Sequence, residues 1–199
     1  MSAAGAPRTP VIPVVGLEKR ILVLEQIETL FNKLGCTGFK FIDPKKIVTG
    51  QWVRMKCMFG CGDYGKNTTC PPNVPSVSEC RQFFNEYKTG AIIHFAKEVD
   101  KPEDRFEWAQ KINQKLLLLE RDIFLSGFQK VFVLGIDNCG MCKECSGKRE
   151  TCMNPKMTRP MPEAMAIDVY STVKRYGFPI QVLTDFSQTM NRYSFLLIE

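Results

Sequence analysis

Four thiols fall within fourteen residues in Cys139-Gly-Met-Cys142-Lys-Glu-Cys145-Ser-Gly-Lys-Arg-Glu-Thr-Cys152, and this stretch constrains the chain more than any other. It follows directly on the apolar run from Val131 to Ile136. A strand that empties into such a loop reads as a scaffold for a metal centre. The spacing C-x2-C-x2-C is that of iron–sulfur proteins, where closely spaced thiolates on one tight loop hold separate corners of a cubane. Single zinc ions usually take their cysteines as separate, widely spaced pairs. The spacing therefore points to [4Fe-4S], with a tetrahedral zinc site as the alternative.

A second group lies upstream, Cys57-x3-Cys61-x8-Cys70-Pro71-Pro72-x7-Cys80. Eight of the nine cysteines thus fall into two quartets, and two [4Fe-4S] clusters are expected. The expected ligands are Cys57, Cys61, Cys70 and Cys80 for one quartet and Cys139, Cys142, Cys145 and Cys152 for the other. In two-cluster ferredoxins the last cysteine of a run serves the other cluster, so Cys80 and Cys152 are open to exchange. The ninth, Cys36, follows a helix end and reads as a buried thiol.

An extracellular disulfide framework is the rival use for so many cysteines. The odd count speaks against it, as does an N-terminus without a basic start and an apolar core segment. A reducing cytoplasm fits metal-bound thiolates better. No apolar run is long enough to cross a bilayer, so no membrane insertion is expected. The net charge of +6 is modest, and no basic block with interleaved aromatics accompanies it, so no nucleic-acid partner is expected.

Residues 1–15 are rich in Ala, Pro and Gly and read as a disordered or loosely docked arm, leaving 16–199 as one α/β domain. Leu17, Ile21, Leu24, Ile27, Phe31 and Leu34 recur at helical spacing before Gly35. Phe39–Ile42 and Ile47–Met55 have extended-chain composition. Ser76-Val-Ser-Glu79 is a capping box that opens a helix with Cys80 in its first turn, where thiolate is favoured. Ala91–Ala96 reads as a buried strand, and its His94 as structural. From Glu103 to Ser126 a long helix presents Phe106, Ala109, Ile112, Leu116, Leu119 and Ile123, broadened by Leu117, Leu118 and Phe124. With the strand Lys130–Ile136 it forms a βαβ crossover, which predicts two parallel strands in a small mixed sheet with flanking helices. A helix opening at Arg159-Pro-Met-Pro-Glu163 and running to Tyr176, then strands at Ile180–Leu183 and Tyr193–Ile198, complete the reading.

Other cysteine chemistries lack a part. The radical S-adenosylmethionine spacing C-x3-C-x2-C has Tyr64 at its third position, and covalent haem would need a histidine where Lys143 or Ser146 stands. No Walker loop, dinucleotide fingerprint or Ser/His/Asp set is present. Lys143, Lys148, Arg149, Lys156 and Arg159 surround the second loop and suit an acidic partner or an anion. Arg159 is expected just before a helix N-terminus, an anion-binding place.

The pieces Cys57-x3-Cys61-x2-Tyr64-Gly65-Lys66, Cys70-Pro71-Pro72, Cys139-x2-Cys142-x2-Cys145, Cys152-x2-Pro155 and Arg159-Pro160-Met161-Pro162-Glu163-Ala164-Met165-x-Ile167-Asp168-Val169 together resemble domain of unknown function 2284, a family of predicted metal-binding proteins. The resemblance implies iron–sulfur binding and an anaerobic setting, and it supplies no reaction. The expected function is electron transfer to or from a partner redox protein. One alternative is a small enzyme in which one cluster has an open iron, with Tyr64, Lys66, Arg159, Glu163 and Asp168 as its polar neighbours. The other is a structural zinc protein that acts as an interaction module.

Overall fold

Thr89–Lys97 (β2) and Met190–Ile198 (β4) are apolar at most positions, and chains of this kind need cover on both faces. In the computed structural model, which describes residues 17–99, 101, 103–185 and 187–199, they are the two central strands of a four-stranded sheet. The short strands Gly38–Ile42 (β1) and Val131–Leu134 (β3) form its edges, in the order β1-β2-β4-β3. The arm at residues 1–15 lies outside the described residues, as do the side chains of 17–24.

Every pairing in this sheet is antiparallel, so the mixed sheet read from the sequence is corrected. β2 and β3 both run opposite to β4 and therefore point the same way, but β4 lies between them. The crossover survives only as a split βαβ unit. Length decides this. β4 meets β2 over nine register pairs, whereas the four-residue β3 pairs over only four.

Alternation divides the sheet's two faces. Ala91, Ile93, Phe95, Val133, Leu196 and Ile198 face a core completed by Leu17–Leu34 (α1) and Asp104–Leu125 (α4). Ile92, Leu134, Tyr193, Phe195 and Leu197 face a second core completed by Val77–Asn85 (α3) and Val169–Arg175 (α5). In α4 the stripe Ala109, Ile112, Leu116, Leu119 and Ile123 is buried, while Phe106, Leu118 and Phe124 are exposed, so the apolar face is narrower than expected. His94 is buried, stacks on Tyr193 at 5.0 Å and pairs through Nε2 with Asn191 Oδ1 at 2.7 Å, a structural placement.

Three other expectations are corrected. Ile47–Met55 is not a strand. A 3-10 turn at Pro44–Lys46 and the helix Gln51–Gly60 (α2) replace it, and only Thr49 keeps an isolated bridge, to Ile167. The expected helix from Arg159 shrinks to α5. Pro162 begins a single turn, closed by Ile167 N bonding Pro162 O at 3.0 Å with Ala166 in the left-handed region at φ 60°. The new helix is then capped by Asp168, which accepts from Ser171 N at 2.9 Å and Ser171 Oγ at 2.6 Å. Among the described residues Ile180–Leu183 pairs with no strand, and it lines a surface pocket. Among the described residues no helix is long and apolar enough to cross a membrane.

Candidate metal centre

The second cysteine loop hangs from the end of β3 and is rooted by α4. Asn113 occupies a position within the apolar stripe of α4, yet it is polar and buried. Its Oδ1 accepts from Ile136 N at 2.9 Å and its Nδ2 donates to Asn138 O at 3.2 Å. Gly135 permits this approach, since a Cβ there would stand 2.8 Å from Asn113 Oδ1. Three residues earlier on α4, Gln110 donates to Gly140 O at 2.6 Å. The loop's return is held by Arg159, whose guanidinium grips both oxygens of Glu120 and lies 5.4 Å from the Phe132 ring centre. Glu120 also accepts from Val133 N at 2.8 Å. Arg159 is therefore occupied by a carboxylate of its own chain, and no helix N-terminus follows it.

Within this frame Cys139, Cys142, Cys145 and Cys152 line one cavity of about 200 Å³. A single water-sized sphere needs only roughly 10–15 Å³ by this measure, so the space is far larger than one ion. Three of the sulfurs meet polar groups from Thr68 and Asn154. Thr68 N donates to Cys145 Sγ at 3.4 Å, Thr68 Oγ1 lies 4.0 Å from Cys152 Sγ, and Asn154 Nδ2 donates to Cys142 Sγ at 3.1 Å. Burial pushes the Cys139 thiol up, a hydrogen bond from the Met141 backbone opposes this, and the charges of Cys145, Cys152 and Cys142 add to the rise. Burial also acts to raise Cys145, but hydrogen bonds from the Gly147 and Thr68 backbones and from the Thr68 hydroxyl outweigh it and lower this thiol.

Thr68 belongs to the first cysteine loop, so the two loops build this pocket together. Asn73 Nδ2 ties them, donating to Asn67 O at 3.1 Å and to Gly147 O at 2.7 Å. Gly147 is left-handed at φ +74°, and a Cβ there would meet Lys66 O at 3.5 Å. Thr68, Asn73, Asn154, Asn113 and Glu120 were not singled out from the sequence. Of these, only Asn113 carried a signal, a polar residue inside an apolar stripe.

In the first group Cys57 sits in the last turn of α2 and Cys61 caps its end with extended backbone. Cys70 lies on the loop that follows, and its thiol is pushed up to about 12, by burial first, then by the charges of Cys61 and Cys57, then by Asp63 and Asp137. Burial raises Cys57 as well, with Cys61 and Glu163 adding to it and Arg54 opposing. Cys80 is placed differently. It is fully buried on the inner face of α3, with Sγ 3.6 Å from Pro75 O and 4.0 Å from Met165 Sδ. Burial raises its thiol; the charge of Arg54 and a hydrogen bond from its side chain oppose this, and Glu79 adds to it. Cys36 is half-buried against the α1 core, its thiol 3.4 Å from Phe31 O.

The remaining candidates scatter. Tyr64 is half-buried and Lys66 exposed, both in the tight turn after Cys61. Asp168 is engaged as the α5 cap. Glu163 alone faces a second cavity, of about 160 Å³, together with Asn191, Arg192 and Tyr193. Burial raises its carboxyl, Arg192 opposes this, and Asp137 reinforces it.

The donor set suits a thiophilic metal, because clustered sulfur ligands repel one another as thiolates until a cation neutralises them. Arg54 Nε and Thr69 Oγ1, in residues flanking the first group, are buried donors without a partner among the described residues. Among the described residues no three His, Cys, Asp or Glu side chains converge on a single-ion position.

No curated protein and no solved structure matches the chain. The profile of one family does, over residues 40–198, under the description predicted metal-binding protein (DUF2284). That span takes in both cysteine groups and the whole sheet except the first two residues of β1, and the chain belongs to this family of predicted metal-binding proteins.

Proposed function

We propose that the chain is an iron–sulfur protein that holds [4Fe-4S] clusters at its two cysteine groups and exchanges single electrons with a partner redox protein. The cavity lined by Cys139, Cys142, Cys145 and Cys152 carries this reading. Its size and its all-thiol donors suit a cubane, whose ligands sit on separate irons, better than one zinc ion. When bound, such a cluster supplies a one-electron couple.

The chain's own residues tune and present the site. Donors from Thr68 and Asn154 to the cysteine sulfurs favour the more negative, reduced state and so raise the potential. Asn73 fixes the two loops against each other, which keeps the two centres at one separation. Lys143, Lys148 and Lys156 are exposed around the second loop, and so are Met153 and Met157, at 80% and 45%. A basic rim around apolar contacts suits an acidic protein partner.

Anaerobic redox titration followed by electron paramagnetic resonance tests the reading. Two reversible one-electron steps are expected, both from cubane clusters. A protein that shows no redox-active signal after reconstitution with iron and sulfide contradicts it.

A further inference from the structure

Away from the cysteines, the sheet leaves a gap. β3 stops at Leu134, opposite Phe195, while β4 runs on against β2 as far as Met190. Among the described residues no strand takes the place of β3 along that length. A cavity of about 160 Å³ stands there, lined by β4 from Met190 to Tyr193, by Glu163 and by the Ile180–Leu183 segment. It lies well below the 300–1,000 Å³ of drug-sized sites, and a water's share of liquid volume is roughly 30 Å³, so it takes about five water-sized groups.

Most polar side chains around it are spent on its walls. Tyr170 Oη donates to Gln181 O at 2.9 Å, and Tyr193 Oη donates to Pro179 O. Asn191 Oδ1 pairs with His94 Nε2 at 2.7 Å. The two charged side chains are not spent. Among the described residues the Glu163 carboxylate meets no donor but its own backbone N–H. Arg192 reaches only Asp137, at 3.9 Å, beyond hydrogen-bond distance, and 32% of its side chain stays exposed. Arg192 opposes the burial that raises the Glu163 carboxyl, yet no ion pair joins the two. Opposite charges held close and left unpaired in a half-covered site are costly until something meets both.

The backbone of Glu163 is fixed rather than free. Arg54 Nη2 donates to Ala164 O at 3.0 Å, and the turn ends in Ala166 at φ 60°, a strained conformation for a residue with a Cβ. Strain of this kind collects where a side chain must be aimed. Ile136, Val169, Ile180 and Met190 give the cavity an apolar wall.

We propose that this cavity binds a small zwitterion, an α-amino acid with a short apolar side chain, its carboxylate on Arg192, its ammonium on Glu163 and its side chain against the apolar wall. An α-amino acid carries its two charges side by side, as a near but unjoined Glu–Arg pair requires. The guanidinium fork matches a carboxylate, and both contacts are charge-assisted. The inference goes beyond the cluster reading and does not depend on which metal the cysteines hold.

Calorimetric titration of the metal-loaded full-length protein tests it with three probes: L-valine, isovalerate, which lacks the ammonium, and isobutylamine, which lacks the carboxylate. L-valine is expected to bind once per chain, and each analogue at least about 10-fold more weakly, because each drops one charge-assisted contact. Glu163→Gln is expected to erase the preference for L-valine over isovalerate and to keep that over isobutylamine. Arg192→Gln is expected to do the reverse. The wild-type comparison needs no variant, so a misfolded variant leaves the test intact. No binding of L-valine at millimolar concentration, analogues that bind as well as L-valine, or folded variants that weaken all three probes alike overturn the assignment and leave the cluster reading untouched.

Discussion

The two cysteine regions solve the same problem in different ways. In the second, four cysteines come from one loop and surround one cavity, and the rest of the chain reaches in to serve them. In the first, two cysteines stand on a helix end and one on a loop, while the fourth is absorbed by the core. Spacing alone does not distinguish them. A short loop with no secondary structure can bring all its thiols inward. A cysteine within an amphipathic helix obeys that helix, and in α3 the face carrying Cys80 and Phe84 is the buried one.

Cysteine substitutions break this comparison most sharply. Cys142→Ser is expected to remove one cluster, about half of the iron and sulfide. Cys36→Ser is expected to remove none, since Cys36 is packed beside α1. Metal and sulfide analysis of the purified variants checks both. Unchanged iron in Cys142→Ser would withdraw the ligand assignment for the second loop.

The frame of the second loop gives the next largest effect. Glu120→Ala strips Arg159 of its carboxylate while the guanidinium remains mostly covered, with 22% of its side chain exposed. Breaking a buried pair costs about 3 kcal/mol, and partial solvent access puts this one toward or below that figure. Urea unfolding of the reconstituted protein measures it. A change below about 0.5 kcal/mol would mean that Arg159 finds another partner.

Thr68→Val tests whether the first loop serves the second centre. Removing the hydroxyl near Cys145 and Cys152 is expected to lower metal affinity about 10-fold and to move the second cluster's potential down. The first cluster's signal should stay unchanged. A shift confined to the first cluster would reverse the assignment of Thr68.

The smallest effect is in the metal-free protein. At pH 8 the Cys70 thiol, pushed up to about 12, holds roughly one part in ten thousand as thiolate. Cys145 is lowered and exposed, so it should be alkylated first by iodoacetamide, with Cys70 following only as pH rises. Mass mapping of the labelled sites decides the order. Equal rates would mean that Cys70 is not shielded in the metal-free protein.

Much of this was legible in the residues. The capping box at Ser76–Glu79, the helix from Leu17, the long helix and the buried strand around His94 all follow from local pattern and are all present. What escaped depends on partners distant in sequence. Ile47–Met55 has strand composition, but Gly50 caps a helix there and the sheet edge at β1 is already set. The parallel crossover is a sound local inference that the C-terminal β4 overrides by entering between β2 and β3. Arg159 and Glu120 lie 39 positions apart, so no spacing announced their pairing. Asn73 and Gly147 met for the same reason, through contact between loops.

Iron and acid-labile sulfide counted on anaerobically reconstituted protein test the central claim most directly. Two cubanes predict roughly eight of each per chain. Zinc without sulfide, or a colourless protein free of iron, would contradict it.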